Sequence, residues 1–173
     1  MAKSKGEFLG MDAVRTRGYD PMVYRYFVAM GHYQSQLAFS WETMDATAKS
    51  YANLVRRVAD LLSAKDETVD TDVYNKWRND MIAAMSDNLK TATVLVLVQD
   101  FIKSDDINNA TKLALIRFVD ELLGLQFVDR AEKLVALEQE SAPDEIVALA
   151  QQRADAKANK DWATADSLRA QID

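Results

Sequence analysis

Apolar residues recur at alternating spacings of three and four along Trp41, Met44, Ala48, Tyr51, Val55, Val58 and Leu62. This pattern predicts a long helix lying lengthwise against its neighbours, with Ser40 as its cap. Shorter segments of the same period flank it. Asp20-Pro21 opens a helix, because an acceptor at the cap precedes a proline whose missing N–H costs nothing there. Val23, Tyr24, Phe27 and Val28 are placed on one face of that helix, and Gly31 closes it. Upstream, Met11 to Arg17 has room for one or two helical turns before Gly18. Downstream, His32 to Phe39 reads as an extended connector.

The acidic stretch Asp66-Glu67-Thr68-Val69-Asp70 breaks the apolar period and is a loop. Val73, Trp77, Met81 and Met85 mark the next helix, which Ser86-Asp87-Asn88 ends. The run from Thr91 to Val98 is rich in β-branched residues and suits a buried strand or a buried helix. It is read as a helix capped by Thr91, because the apolar stretch continues to Phe101 and Ile102 and no partner strand is visible. Ile107 to Leu123 is helical, with Gly124 where a left-handed C-cap falls. Phe127 to Leu137 continues helically. Pro143 starts a further helix with Asp144 and Glu145 in its first turn, where the helix dipole favours acids. Ile146, Leu149 and Ala150 form its apolar stripe. Asn159 to Asp161 turns the chain, and Asp161 caps a last helix with Trp162, Ala165, Leu168 and Ile172 inward. The expected fold class is all-α, a small N-terminal part followed by an antiparallel helical bundle.

Composition sharpens this picture. Only two prolines and five glycines punctuate 173 residues, too few for many hairpins. At 49% hydrophobic, the chain can build a core. No cysteine is present, which excludes disulfides, thiolate nucleophiles and cysteine zinc sites. No apolar segment reads as a signal peptide or a bilayer span, so the cytoplasm is the expected compartment. The net charge of −6 excludes nucleic-acid binding by bulk charge; any RNA contact must come from a local basic patch. The single histidine, His32, has no second histidine with which to build a triad or a metal cluster.

Three blocks carry a family resemblance. Met1-Ala2-Lys3-Ser4-Lys5-Gly6-Glu7-Phe8 is similar to the end of the KMSKS loop of class I aminoacyl-tRNA synthetases. Gly18-Tyr19-Asp20-Pro21-Met22-Val23-Tyr24-Arg25-Tyr26-Phe27 and Gly31-His32-Tyr33-Gln34-Ser35-Gln36-Leu37-Ala38-Phe39-Ser40 form the second block. The third runs from Gln152 to Arg169, through Lys157-Ala158-Asn159-Lys160-Asp161-Trp162. In this order they resemble the C-terminal region of bacterial cysteinyl-tRNA synthetases. Met85-Ser86-Asp87-Asn88-Leu89-Lys90-Thr91-Ala92 matches a further segment of that family.

The resemblance implies a KMSKS-loop remnant and stem-contact segment over 1–39 and a DALR-like anticodon-binding helical bundle over 40–173. It implies that Lys3, with Ser4, handles ATP phosphates in an intact enzyme. It further implies tRNA(Cys) as partner, together with an N-terminal catalytic domain outside this chain. ATP and zinc belong to that domain; this chain is expected to carry no cofactor, no DNA or membrane partner and no charging activity alone. The chain departs from the family pattern at Ala2, Lys5, Glu7 and Gln34, the last standing where an arginine is usual.

The candidate tRNA contacts form two groups. Arg15, Arg17 and Arg25 lie near the loop. Arg153 and Lys157 extend the Ile146–Leu149–Ala150 stripe, and Lys160 follows in the turn; a stripe that turns basic is leaving the core. The competing reading of this second group is solvated charge or a pair with Asp166. The alternative for the whole chain is a free-standing helical paralogue that binds a protein partner and takes no part in tRNA charging.

Overall fold

A computed structural model of the chain describes residues 11–63, 68–141, 144–158, 161, 162, 164 and 166–168. The expectations placed on Lys3, Ser4, Asp66, Glu67, Pro143, Lys160, Ala165 and Ile172, and on the side chains of Ile146 and Ala150, lie outside the described residues. Among the described residues the regular structure is helical throughout: α1 (Met11–Thr16), α2 (Pro21–Ala29), α3 (Trp41–Leu62), α4 (Thr71–Ser86), α5 (Thr91–Lys103), α6 (Asn109–Leu123), α7 (Phe127–Ser141) and α8 (Asp144–Ala158). The packing divides the chain into two compact units, residues 1–132 and 133–173.

In the first unit, cross-element bonds give the helix directions. Asp70 N donates to Thr111 Oγ1 at 2.8 Å, and the Arg78 guanidinium lies 5.1 Å from the Phe118 ring centre. The starts of α4 and α6 are therefore level and the two helices run parallel. Trp77 meets Phe101 edge-on at 5.8 Å, so α5 returns antiparallel to α4. Tyr51, midway along α3, donates to Leu125 O just beyond α6 at 2.7 Å. Asn108, the α6 cap, donates to Thr68 O, just past the end of α3, at 2.9 Å. Hence α3 is antiparallel to α6, and α3 to α6 alternate as in an up-and-down bundle.

Local signals set most boundaries. Asp20 accepts from Met22 N, and Pro21 follows. Ser40 and Thr43 form a reciprocal capping box at α3. Asn108 caps α6, so that helix begins two residues after the predicted Ile107. Gly124 is left-handed at φ 62°, and its N–H donates to Asp120 O.

The structure corrects five sequence expectations. Residues 91–103 are helical, but Lys90 is the cap residue, with no side-chain bond, and Thr91 is the first helical residue. The Thr91 hydroxyl instead reaches Gly31 O at 3.4 Å. The α2 face that enters the core is Val23, Tyr26 and Phe27, whereas Val28 is 46% exposed. The α3 stripe is wider than the a/d seam: Thr47, Leu54, Ala59 and Leu61 are also buried, because α2 and α6 both pack on this helix. The connector begins with a turn over 32–35, closed by Ser35 N to His32 O at 2.9 Å, before it extends.

The fifth correction falls in the second unit, which holds the C-terminal half of α7, α8 and the described residues from 161 to 168. Asp161 accepts from Thr164 N at 3.1 Å and from the Thr164 hydroxyl at 2.6 Å, which confirms its capping role. Those bonds hold the Asp161 carboxyl below its ordinary value. Leu168 is buried, but Trp162 is 62% exposed instead of inward. Two successive three-residue steps fall about 120° behind a 3.6-residue turn, so Trp162 and Leu168 cannot share a face.

Candidate nucleic-acid interface

The three arginines of the N-terminal group have three different environments. Arg25, on α2, donates from both Nε (3.0 Å) and Nη2 (2.8 Å) to Leu123 O, the last carbonyl of α6. That carbonyl lies at the negative end of a helix dipole, so a guanidinium belongs there on structural grounds alone. Arg15 is exposed and, among the described residues, has no side-chain partner. Arg17 is also exposed, but its guanidinium carbon sits 4.1 Å from the centre of the Trp41 ring.

That contact belongs to a built cluster. Tyr19 stacks on Trp41, with planes 7° apart and centres 6.0 Å apart. Phe39 meets Trp41 edge-on at 5.1 Å. The Tyr19 hydroxyl donates to Asp45 Oδ1 at 2.5 Å, and this hydrogen bond is the main cause that raises the tyrosine's pKa. The backbone at Gly18 is left-handed (φ 84°), and nothing lies within 4 Å of where a Cβ would stand. Gly18 N donates to Arg15 O and Tyr19 N to Val14 O, so the turn is a satisfied end of α1 with one bare side. No spacing in the sequence announces this cluster. Residues 17, 19 and 41 meet only because α2 folds back along α3.

The same end of α2 is also fixed by charge. Arg130 of α7 forms a bidentate pair with Asp20, the α2 cap, with Nη2 to Oδ1 at 2.9 Å. The connector is fastened to the α4–α5 loop. The Tyr33 hydroxyl donates to Asn88 Oδ1 at 2.6 Å, and Asn88 Nδ2 donates to Gln34 Oε1 at 3.2 Å. His32 Nε2 lies 3.2 Å from Asn88 O, so His32 also serves this loop contact. Gln34 is used within the protein. Beside this clasp is an open apolar groove of about 560 Å³, whose walls include the exposed side chains of Met11, Val28, Tyr33 and Leu89.

In the second unit, Arg153 and Lys157 are one turn apart on α8. Lys157 is exposed and Arg153 half-buried. Arg153 Nε is enclosed without an acceptor among the described residues, and neither side chain is paired with Asp166 among them. Arg56 and Asp60 form an exposed pair at 3.7 Å along α3, a solvated face. Among the described residues no cluster of histidine and carboxylate side chains could hold a metal ion, and no helix is long and apolar enough to cross a membrane.

These features belong to a helical chain whose relatives are aminoacyl-tRNA ligases. Within that class it corresponds to the C-terminal portion of the cysteine–tRNA ligases. It is 31% identical to the cysteine–tRNA ligase of Treponema denticola and 32% to that of Novosphingobium aromaticivorans. It is 34% identical to cysteine–tRNA ligase 1 of Burkholderia lata. These matches cover 98–99% of the chain, which spans 39%, 36% and 33% of the three relatives' lengths. No family model matches the chain.

Proposed function

We propose that this helical portion grips tRNA(Cys) for cysteine–tRNA ligation, while a catalytic portion outside this chain joins cysteine to the tRNA with ATP. The observation that carries the reading is the near-complete alignment of the chain with ligases of that specificity. The geometry supports it through a division of labour. Among the described residues Arg15, Arg17 and Lys157 are exposed with no hydrogen-bond acceptor on their side chains and Arg153 is half-buried, whereas Arg25 is engaged on α6 and serves the fold first. Lys3 and Ser4 act on ATP phosphates only beside the catalytic portion, and zinc belongs there too. Lys160 is assigned to the same phosphate-tracking group as Lys157.

The test is binding of tRNA(Cys) transcript to the chain across a salt series. A protein that neutralises a handful of phosphates loses affinity linearly in log salt, with a slope near 0.9 per phosphate on duplex. The expected result is salt-sensitive binding that prefers tRNA(Cys) over heparin and weakens on joint charge reversal of Arg153 and Lys157. Equal affinity for any polyanion, or no binding at low salt, would refute it. The chain alone is expected to show no cysteine-dependent ATP–pyrophosphate exchange. The open apolar groove favours a second reading, a helical module that docks a protein partner. Retention of tRNA binding by a Val28→Asp, Leu89→Asp variant would separate the groove from RNA.

A further inference from the structure

We propose that Trp41 is a positioning residue for RNA, holding the Arg17 guanidinium over its ring so that its N–H donors receive a tRNA backbone phosphate passing over the Gly18 turn. The proposal rests on the tRNA-binding reading and goes further by naming how one contact is built. A cation–π contact engages the charge of a guanidinium without supplying a lone-pair acceptor, so its N–H groups still seek one. Among the described residues no acceptor takes the Arg17 side-chain N–H groups. The Asp45 carboxylate of the same cluster is met by the Tyr19 hydroxyl.

The ring beneath Arg17 is itself held. Tyr19 stacks on it, Phe39 abuts its edge, and Tyr19 is fastened to Asp45. Trp41 is the first residue of α3 and lies within the Ser40–Thr43 capping box, so its backbone is also set. The arginine therefore gives up little additional freedom when a phosphate arrives, the advantage of a preorganised contact. The bare side of Gly18 lets a nucleic-acid backbone come close. Arg15 and Arg25 lack this combination: among the described residues no ring supports the first, and the second has Nε and Nη2 committed to Leu123 O.

The test compares Arg17→Gln, Trp41→Leu and Trp41→Phe in the full chain, with far-UV circular dichroism as the folding control. Arg17→Gln should weaken tRNA(Cys) binding and reduce the log–log salt slope by about one. Trp41→Leu frees the arginine but leaves its charge, so affinity should fall about 2- to 10-fold with the slope unchanged. Trp41→Phe keeps a ring and should recover part of that loss. An independent arm uses fluorescence. The chain has three tryptophans, so Trp77→Phe with Trp162→Phe leaves Trp41 as sole reporter. tRNA should change its emission, and adding Arg17→Gln should abolish the change; this arm decides if Trp41→Leu fails to fold. Wild-type binding with unaltered affinity in Trp41→Leu, or an emission change that survives Arg17→Gln, overturns the role of Trp41 and leaves the tRNA reading standing. Absence of wild-type binding overturns both.

Discussion

Replacing Arg25 by methionine keeps the aliphatic stem and removes two donors from one carbonyl. In the native chain Nε and Nη2 both reach Leu123 O, at 3.0 and 2.8 Å. A hydrogen bond from a charged donor contributes about 1.5–3 kcal/mol net. Here the donors share one acceptor and the site is partly open, so the pair together is assigned about 1–2 kcal/mol, including the helix-end charge effect. For a chain of this size each kcal/mol lowers Tm by about 2–4 °C. Arg25→Met is therefore expected to melt about 4 °C below wild type by circular dichroism at 222 nm, with urea unfolding giving the same loss. Arg17→Gln, by contrast, should leave Tm within about 2 °C, since exposed changes fall within about 0.5 kcal/mol. An unchanged Tm for Arg25→Met, with tRNA affinity reduced as much as in Arg17→Gln, would refute the structural assignment of Arg25 and return it to the RNA contacts.

Three further outcomes follow from the same bonds. Tyr51→Phe leaves Leu125 O, on a fully buried residue, without its donor and should cost about 1–2 kcal/mol in urea unfolding; burial already pushes the Tyr51 hydroxyl up to about 12, so alkaline titration should find it late. Asp120 accepts from Phe127 N and Val128 N, both at 2.9 Å, yet burial outweighs these bonds and raises its carboxyl above the ordinary value. The folded state then holds that proton more tightly than the unfolded chain, so the ionised group costs stability near neutrality and the cost lifts as pH falls through the raised value. Compared with Asp120→Asn, wild type should gain stability as pH drops from neutral towards the ordinary carboxylate range; a gain in the opposite direction would show that the amide bonds dominate. Trp162→Ala, at a 62% exposed position, should change stability by less than about 0.5 kcal/mol, and a loss above about 2 kcal/mol would restore the inward placement.

Much of this molecule is legible from residue order because its signals are local. Asp20, Ser40 and Asp161 cap helices through atoms two or three residues away, and Gly124 takes a conformation that needs only its own missing Cβ. A periodic apolar run likewise carries its helix within itself, which is why 91–103 reads correctly despite its β-branched content. The family blocks are equally a matter of order, and they point to the same ligases as the comparisons do.

What residue order could not supply is the use of each charged or aromatic side chain, because that depends on which segment folds against it. Arg25 looks like Arg17 in sequence, but 98 residues separate it from the carbonyl that engages it. Thr91 has the chemistry of a cap, yet its hydroxyl turns to Gly31, 60 residues upstream. The second neighbour of α3 widened its buried stripe beyond any heptad count. Trp41 reads as one more core position until Arg17 and Tyr19 are laid on its ring. Local free energy decides where helices begin and end; only the closing of the bundle decides which polar groups are consumed by the fold and which remain exposed.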